Sequence, residues 1–168
     1  MTKDPIRIAI LTVSDGVAWG QREDESGPAV DDWAAQRGHV VTQRAIVADD
    51  AGSVAAVLLE WTDAGVADVI LTTGGTGVTE RDVTPEGTLQ VLERQAPGIA
   101  EALRSAGAQN TPYSWLSRGV AGIRGRTLIV NLPGSVSGTR DGLAVLDTML
   151  GHAVQLLRGE DTQVHGDG

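Results

Sequence analysis

Four runs rich in apolar and β-branched residues recur along the chain. Runs of this length and composition are typical of strands that are buried in a sheet. They predict β-strands over residues 6–13, 39–47, 68–73 and 127–132.

Between these runs, hydrophobic residues fall at helical spacing. Val30, Trp33 and Ala34 lie on one face of a helix that opens at Ser26-Gly27-Pro28, and Gly38 occupies the position expected just beyond its end. A second helix follows, with Ser53 as its predicted N-cap. Further helices are predicted from Thr84-Pro85-Glu86 through Leu92, from Ile99 to Ala106, and along a last stripe of Leu143, Leu146, Leu150, Ala153 and Leu157.

Strands that alternate with amphipathic helices predict an α/β fold, in which a mostly parallel sheet is covered by helices on both faces. No repeat or linker divides the chain, so residues 1–158 are predicted to form one domain and the polar residues 159–168 a loose tail. Ligands of such sheets bind beyond the carboxyl ends of the strands. The loops at 14–15, 74–82 and 131–135 are therefore predicted to form one site.

Composition narrows the classes of function. The 168 residues, 41% of them hydrophobic, suit one core. With 13 basic and 22 acidic residues the net charge is -9, which argues against a nucleic-acid-binding surface. No apolar run approaches the roughly 20 residues that span a bilayer, and there is no cysteine for a disulfide or a thiolate metal site. We expect a cytoplasmic protein with neither nucleic acid nor membrane as partner.

A glycine-rich segment directly follows the third predicted strand. The backbone N–H groups of Gly74, Gly75, Thr76 and Gly77 can approach a phosphate without obstruction by side chains. The alternative is a tight turn from strand to loop. The two common nucleotide-binding patterns are excluded, because the P-loop lysine is absent and Glu80 stands where GxGxxG needs its last glycine.

Acidic residues flank this segment in the predicted fold. Asp82 precedes a helix start, where it can hold Mg²⁺ against a phosphate bound by the exposed amides, or else take part in capping while Arg81 is a solvated charge. Asp49 and Asp50 end the second strand, and attraction to a helix N-terminus explains them adequately. Since Mg²⁺ usually takes one or two protein carboxylates, one of this pair together with Asp82 would suffice.

Six segments, in order along nearly the whole chain, resemble the Mog/MoaB molybdopterin-binding family. The pair TTGGTG and RDVTPE is specific, whereas the shorter matches carry little weight alone. After the last segment the family often has proline, where this chain has Val136. The segments are TVSD at 12–15, SG at 26–27, TTGGTG at 72–77, RDVTPE at 81–86, SR at 117–118 and LIVNLPGS at 128–135.

The resemblance implies a three-layer α/β fold, a homotrimer, and a Mg²⁺-dependent transfer of AMP from ATP to the terminal phosphate of molybdopterin, with release of pyrophosphate. It ties Asp49 and Asp82 to metal binding and catalysis. The substrate-binding residues it implies are Ser14, Asp15, Gly74, Gly75, Thr76, Gly77, Pro133, Gly134 and Ser135.

Two other functions stay open at this point. One is a noncatalytic molybdopterin-binding carrier or assembly protein, and the other is an unrelated anion-binding scaffold that uses the glycine-rich loop. A downstream molybdenum insertase is the protein partner that the resemblance suggests.

Overall fold

A six-stranded sheet forms the centre of the computed structural model, which describes residues 4–160. The strands are β1 Arg7–Val13, β2 Val40–Val47, β3 Val69–Thr73, β4 Arg94–Gln95, β5 Ala121–Arg124 and β6 Thr127–Leu132. Their order across the sheet is β2-β1-β3-β6-β5-β4. Strands β2, β1, β3 and β6 are parallel to one another, while β5 runs antiparallel to both β6 and β4. The α/β class and the mostly parallel sheet are confirmed.

Helices cover both faces of this sheet. They are α1 Asp15–Ala18, α2 Ser26–Gln36, α3 Ala51–Asp63, α4 Thr84–Leu89, α5 Pro97–Ala108, α6 Val136–Asp147 and α7 Leu150–Arg158, with a 3₁₀ helix at Pro112–Leu116. Within residues 4–160, no helix is long and apolar enough to cross a membrane.

The hydrophobic core is divided by the sheet into two clusters. Ile8 and Ile10 of β1 pack with α2, α5, α6 and α7 on one face, whereas Ala9 and Leu11 of the same strand pack with α3 on the other. Successive side chains of a strand point to opposite faces, so a strand buried on both sides is apolar throughout. This burial explains why β1, β3 and β6 could be predicted from continuous apolar runs, whereas the edge strand β2 has no buried residue.

The predicted elements match these bounds closely, with instructive exceptions. Gly38 follows α2 with φ +72°, as expected. The N-cap of α3 is Asp50 and not Ser53, because a carboxylate oxygen of Asp50 accepts hydrogen bonds from both the N–H and the hydroxyl of Ser53, each at 2.8 Å. The predicted helix through Leu92 ends at Leu89.

Other differences concern length. The predicted last helix is two helices, α6 and α7, interrupted at Thr148 and Met149. The helix predicted from Ile99 to Ala106 extends over Pro97–Ala108. Strands β4 and β5 were not predicted, since two and four residues are too few for a periodic pattern. Of the predicted tail, residues 161–168 lie outside the described residues.

The register of the sheet aligns the ends of its central strands. Thr73, the last residue of β3, pairs with Thr12 of β1 and with Leu132 of β6. The loops that follow β1, β3 and β6 therefore leave the sheet side by side at its carboxyl edge. The structure thus brings together the three loops that the sequence placed at one site.

A buried carboxylate lies at the opposite edge of the sheet. Asp68 is 6% exposed and accepts hydrogen bonds from the Arg158 guanidinium at 2.7 Å and from the backbone N–H of Arg7 at 2.9 Å. Burial alone would raise the pKa of Asp68, but the donors on Arg158 and Arg7 outweigh it and lower this pKa below its ordinary value. Asp68, which directly precedes β3, thus links Arg158 of α7 to Arg7 of β1.

Candidate active site

The glycine-rich loop turns sharply where β3 ends. Gly74 and Gly75 have φ values of +89° and +68°, in the region that favours glycine. A Cβ on Gly74 would lie 2.3 Å from the carbonyl oxygen of Val13, and one on Gly75 would lie 2.2 Å from the hydroxyl of Thr84. That hydroxyl donates to the carbonyl of Gly74 at 2.9 Å. A tight turn therefore accounts for the first two glycines.

The far half of the loop is held by Arg118. Its backbone N–H donates to Thr76 O at 2.8 Å, its Nε to Gly77 O at 2.8 Å and its Nη2 to Asp82 O at 2.6 Å. Its Nη1 pairs with the Glu86 carboxylate at 2.7 Å. One planar guanidinium thus fixes the loop to the start of α4, a geometry that lysine could not reproduce.

Asp15 and Asp49 hold each other by reciprocal hydrogen bonds. The N–H of Asp15 donates to Asp49 Oδ2 and the N–H of Asp49 donates to Asp15 Oδ1, both at 2.9 Å. Arg81 contacts Asp15 Oδ2 through Nη2 at 2.7 Å and Nε at 3.0 Å, so Arg81 is more than a solvated charge. Desolvation acts to raise the pKa of Asp15, but the Asp49 N–H and Arg81 lower it overall.

Asp82 closes a turn within the loop. Its Oδ2 accepts hydrogen bonds from the N–H and the hydroxyl of Thr79, at 3.0 and 2.8 Å. The N-cap position of α4 is Val83, and no side chain caps it by a hydrogen bond. The capping alternative for Asp82 is therefore not realised in the structure.

The carboxylates of Asp49 and Asp82 face the same short stretch of backbone. Asp49 Oδ1 lies 3.1 Å from the position that a Cβ on Gly75 would occupy, and Asp82 Oδ2 lies 2.7 Å from the corresponding position on Gly77. Those glycines are two residues apart, hence at most about 7 Å. Each glycine therefore lets one carboxylate approach the loop backbone closely.

The donor set on this side of the loop fits a magnesium ion shared with a phosphate. Within residues 4–160, Oδ1 of Asp49 and Oδ1 of Asp82 accept no hydrogen bond, so each has free lone pairs. No group of three or more His, Cys, Asp or Glu residues suited to a metal occurs in that part of the chain. Mg²⁺ prefers one or two carboxylates plus waters and substrate phosphates, which this arrangement can supply.

A cavity of about 300 Å³ lies against Thr76 and Gly77. It is bounded by α5, the 3₁₀ helix, the segment around Gly119 and the first turns of α6, and Pro133 and Ser135 are among its lining residues. The volume is at the lower end of the range for small-molecule sites, about 300–1,000 Å³. Thr76 and Gly77 therefore contribute to the cavity wall, while Gly75 and Gly77 border the two carboxylates.

The remaining predicted site residues support the loops. Ser14 is the N-cap of α1, and its hydroxyl accepts from Val17 N and from Arg22 Nη2, at 3.3 and 3.0 Å. Gly134 packs on the turn, since its Cβ position would be 3.3 Å from Gly74 Cα. Ser135 caps α6 by accepting from Gly138 N at 3.1 Å.

Several cavity residues were not identified from the sequence. Arg104, Asn110 and Tyr113 come from α5 and the segment after it, and Asp141 comes from the second turn of α6. The SR motif at 117–118 marked the neighbourhood, but no spacing links α5 to α6. Only the packing of the two helices brings these side chains to one cavity.

Comparison with known proteins gives consistent matches along the chain. The sequence profile of the family described as "Probable molybdopterin binding domain" matches residues 9–152. A Helicobacter pylori protein named molybdopterin adenylyltransferase is 35% identical over 162 residues, which cover 95% of this chain and 92% of that protein. The crystal structure of the molybdopterin biosynthesis enzyme MoaB from Thermus thermophilus superposes with a TM-score of 0.87 at 44% identity, covering 92% of this chain and 98% of that one.

Some relatives are longer than this chain. A molybdenum cofactor biosynthesis bifunctional protein from Synechococcus elongatus is 38% identical over 152 residues, and the match covers 90% of this chain but 47% of the relative. Two others match over 27% and 23% of their lengths. The chain thus spans half or less of these relatives.

Proposed function

This chain belongs to the Mog/MoaB family of molybdenum cofactor biosynthesis, and we propose from that premise that it is a molybdopterin adenylyltransferase. An oxygen of the terminal phosphate of molybdopterin attacks the α-phosphorus of ATP. The bond from that phosphorus to the bridging oxygen of the β-phosphate breaks, and adenylyl-molybdopterin and pyrophosphate are formed. The name of the Helicobacter pylori relative supports the same reaction.

The observation that carries this proposal is the two-sided loop at Gly75–Gly77. One wall of the ligand-sized cavity is formed by Thr76 and Gly77, and the carboxylates of Asp49 and Asp82 border the same few residues. A substrate seated in the cavity would present its phosphate at the loop amides, beside the site of the triphosphate. Such juxtaposition of two reactants supplies a large part of the rate enhancement in group transfer.

Each group near the loop has a role in this proposal. Amides of Thr76 and Gly77 would donate to the molybdopterin phosphate, and Arg118 keeps these amides in place. Asp49 and Asp82 would hold Mg²⁺, which neutralises charge developing on the phosphates. Arg81, 64% exposed in its side chain and paired to Asp15, lies where it can also contact the triphosphate.

The main rival is a noncatalytic molybdopterin-binding carrier. It requires the cavity but gives no reason for two carboxylates with open oxygens at the phosphate loop. Membership of the family rules out the unrelated anion-binding scaffold, which would use the amides alone and would let inorganic phosphate compete fully with molybdopterin. The cavity of about 300 Å³ beside the loop favours a larger ligand than phosphate.

A single-turnover assay tests the reaction directly. Protein is mixed with molybdopterin, Mg²⁺ and ATP labelled at the α-phosphate, and adenylyl-molybdopterin and pyrophosphate are expected in equal amounts. Omission of Mg²⁺ is expected to abolish the transfer. Folded protein that binds both substrates and yields no adenylylated product would refute the enzymatic function and leave the carrier.

We further propose that residues 1–158 form one catalytic domain that works as a cytoplasmic homotrimer. Trp33 and Trp61 are buried in the protein's own core, at 8% and 7% exposure. The faces of α2 and α3 that carry these tryptophans are therefore not available for subunit contacts. Exposed apolar residues such as Ile46 on the edge strand β2 and Trp115 are better candidates. Light scattering coupled to chromatography checks the trimer, and a stable monomer at micromolar concentration would contradict it.

A protein that consumes adenylyl-molybdopterin is the downstream partner we propose, namely a molybdenum insertase. In the longer relatives, whose names refer to molybdenum cofactor biosynthesis or synthesis, the matched region is joined to additional sequence. Joining successive activities in one chain raises their effective concentration. Stimulation of product release by a purified insertase would test the partnership.

A further inference from the structure

One carboxylate in the cavity has no role in the proposed transfer step. Among the described residues that line the cavity, Asp141 alone is acidic. It is half-buried and belongs to the second turn of α6, whose N-cap is Ser135, so it does not cap the helix. Within residues 4–160 it forms no ion pair. A lone acid that borders a ligand-sized cavity is suited to bind a hydrogen-bond donor.

Asn110 orients this carboxylate. Asn110 lies in the segment just after α5, and its Nδ2 donates to Asp141 Oδ2 at 2.8 Å. Asp141 Oδ1 accepts no hydrogen bond within residues 4–160, and Oδ2 keeps a second lone pair. Both oxygens are therefore available to a ligand that presents two parallel N–H donors.

Arg104, the one basic residue among the described residues that line the cavity, binds backbone carbonyls. Arg104 Nη1 donates to the carbonyls of Ser117 and Gly119, at 3.2 and 2.8 Å, and holds the segment before β5. Within residues 4–160 it forms neither an ion pair nor a hydrogen bond with Asp141. The charge of Asp141 is thus not neutralised by Arg104, and its carboxylate can bind a ligand.

We propose that Asp141, positioned by Asn110, is the specificity-determining residue for the aminopyrimidinone edge of the pterin. That edge carries the 2-amino group and the ring N3–H side by side, and both donate in the direction of a coplanar carboxylate. The inference rests on the proposed function, since it takes a pterin as the ligand of the cavity. With the phosphate at Thr76 and Gly77, the pterin ring is the part of the substrate left to reach Asp141.

The test compares two ring systems that differ at this edge alone. 6-Hydroxymethylpterin carries the 2-amino group, whereas 6-hydroxymethyllumazine carries a carbonyl oxygen there, which would face the carboxylate. Fluorescence titration of the full chain is expected to give binding of the pterin at least about 10-fold tighter than that of the lumazine. In Asp141→Asn the ratio is expected to fall below about 3, because an amide can turn either group toward the ligand.

Matched variants separate recognition from a structural effect. Glu101→Gln removes an exposed acid of α5 that does not line the cavity, and it is expected to keep the wild-type ratio. A variant that merely loosens the packing of α5 on α6 weakens both ligands in parallel. An unchanged ratio in Asp141→Asn, a parallel loss of both ligands, or no binding of the pterin to the wild type at millimolar concentration would overturn the proposal.

Adenylyl transfer measured on the same preparations tests the role of Asp141 and the proposed transferase activity separately. Asp141→Asn is expected to raise the KM for molybdopterin about 10-fold and to change kcat much less. If the wild type transfers AMP and Asp141→Asn keeps the wild-type ring preference, the role of Asp141 is refuted and the transferase is not. A preference that depends on Asp141, in a protein that transfers no AMP, supports pterin recognition and refutes the transferase.

Discussion

Replacing Asp82 by asparagine separates the proposed catalytic role of this carboxylate from its structural role. The side chain keeps its size, and the remaining carbonyl oxygen can still accept the hydrogen bond that Thr79 N donates at 3.0 Å. What is lost is the negative charge beside Gly77 and one strong ligand for a cation. The variant therefore removes the chemistry and leaves most of the turn intact.

The two roles predict effects of different size. The structural loss is no more than one weakened hydrogen bond at a partly exposed site, about 1 kcal/mol, which lowers Tm by about 2–4 °C in a chain of this length. Loss of a metal ligand is expected to slow transfer at least about 100-fold, equivalent to about 2.7 kcal/mol in the barrier. Binding of molybdopterin is expected to change little, since the amides of Thr76 and Gly77 remain.

Asp50→Asn is the matched control for this measurement. Asp50 accepts hydrogen bonds from the N–H and hydroxyl of Ser53, the same pair of donors that Thr79 offers Asp82. The control is expected to show a similarly small loss of stability with transfer within about threefold of wild type. Equal and small losses of single-turnover rate in the two variants would remove Asp82 from the catalytic group.

Three further variants test how the fold supports the site. Asp68→Asn removes the buried carboxylate that pairs with Arg7 and Arg158, while Arg158 keeps its ion pair with Glu160 at 3.5 Å, and is expected to cost about 3 kcal/mol, or about 6–12 °C in Tm. Because the folded pKa of Asp68 is lowered, its stabilisation is complete above about pH 4 and lost as pH falls through that folded value, so urea midpoints of variant and wild type converge in acid. Gly74→Ala, with a Cβ 2.3 Å from a backbone oxygen, is expected to lose at least about 2 kcal/mol more than Gly65→Ala, which shares a positive φ but has open space. Arg118→Lys breaks the fork on the loop and is expected to reduce single-turnover transfer about 10-fold, and transfer equal to wild type would show that the loop needs no such clamp.

The buried strands and the loops at their carboxyl ends could be predicted because they follow from local pattern. A strand covered on both faces is apolar throughout, and parallel strands end at one edge. The N-cap of α3 could not be predicted, because Asp50 and Ser53 are both residue types that suit an N-cap. In the structure Asp50 is the N-cap, since its carboxylate accepts hydrogen bonds from both the N–H and the hydroxyl of Ser53. The cavity is a product of packing. Asn110 and Asp141 are 31 residues apart and meet only because α5 lies against α6.

On the proposed function, a chain of net charge -9 has to bind two anionic substrates. At about 10 Å in water, two unit charges interact by only about 0.4 kcal/mol before screening, so distant acids oppose binding weakly. Close to the loop, Arg81 already offsets the charge of Asp15, while Asp49 and Asp82 each keep a carboxylate oxygen that accepts no hydrogen bond within residues 4–160. On the proposed function, a divalent cation at those two residues neutralises the local negative charge that the triphosphate would otherwise meet. The affinity for ATP is therefore expected to depend far more on Mg²⁺ than on ionic strength, and equal ATP affinity with and without Mg²⁺ would refute this account.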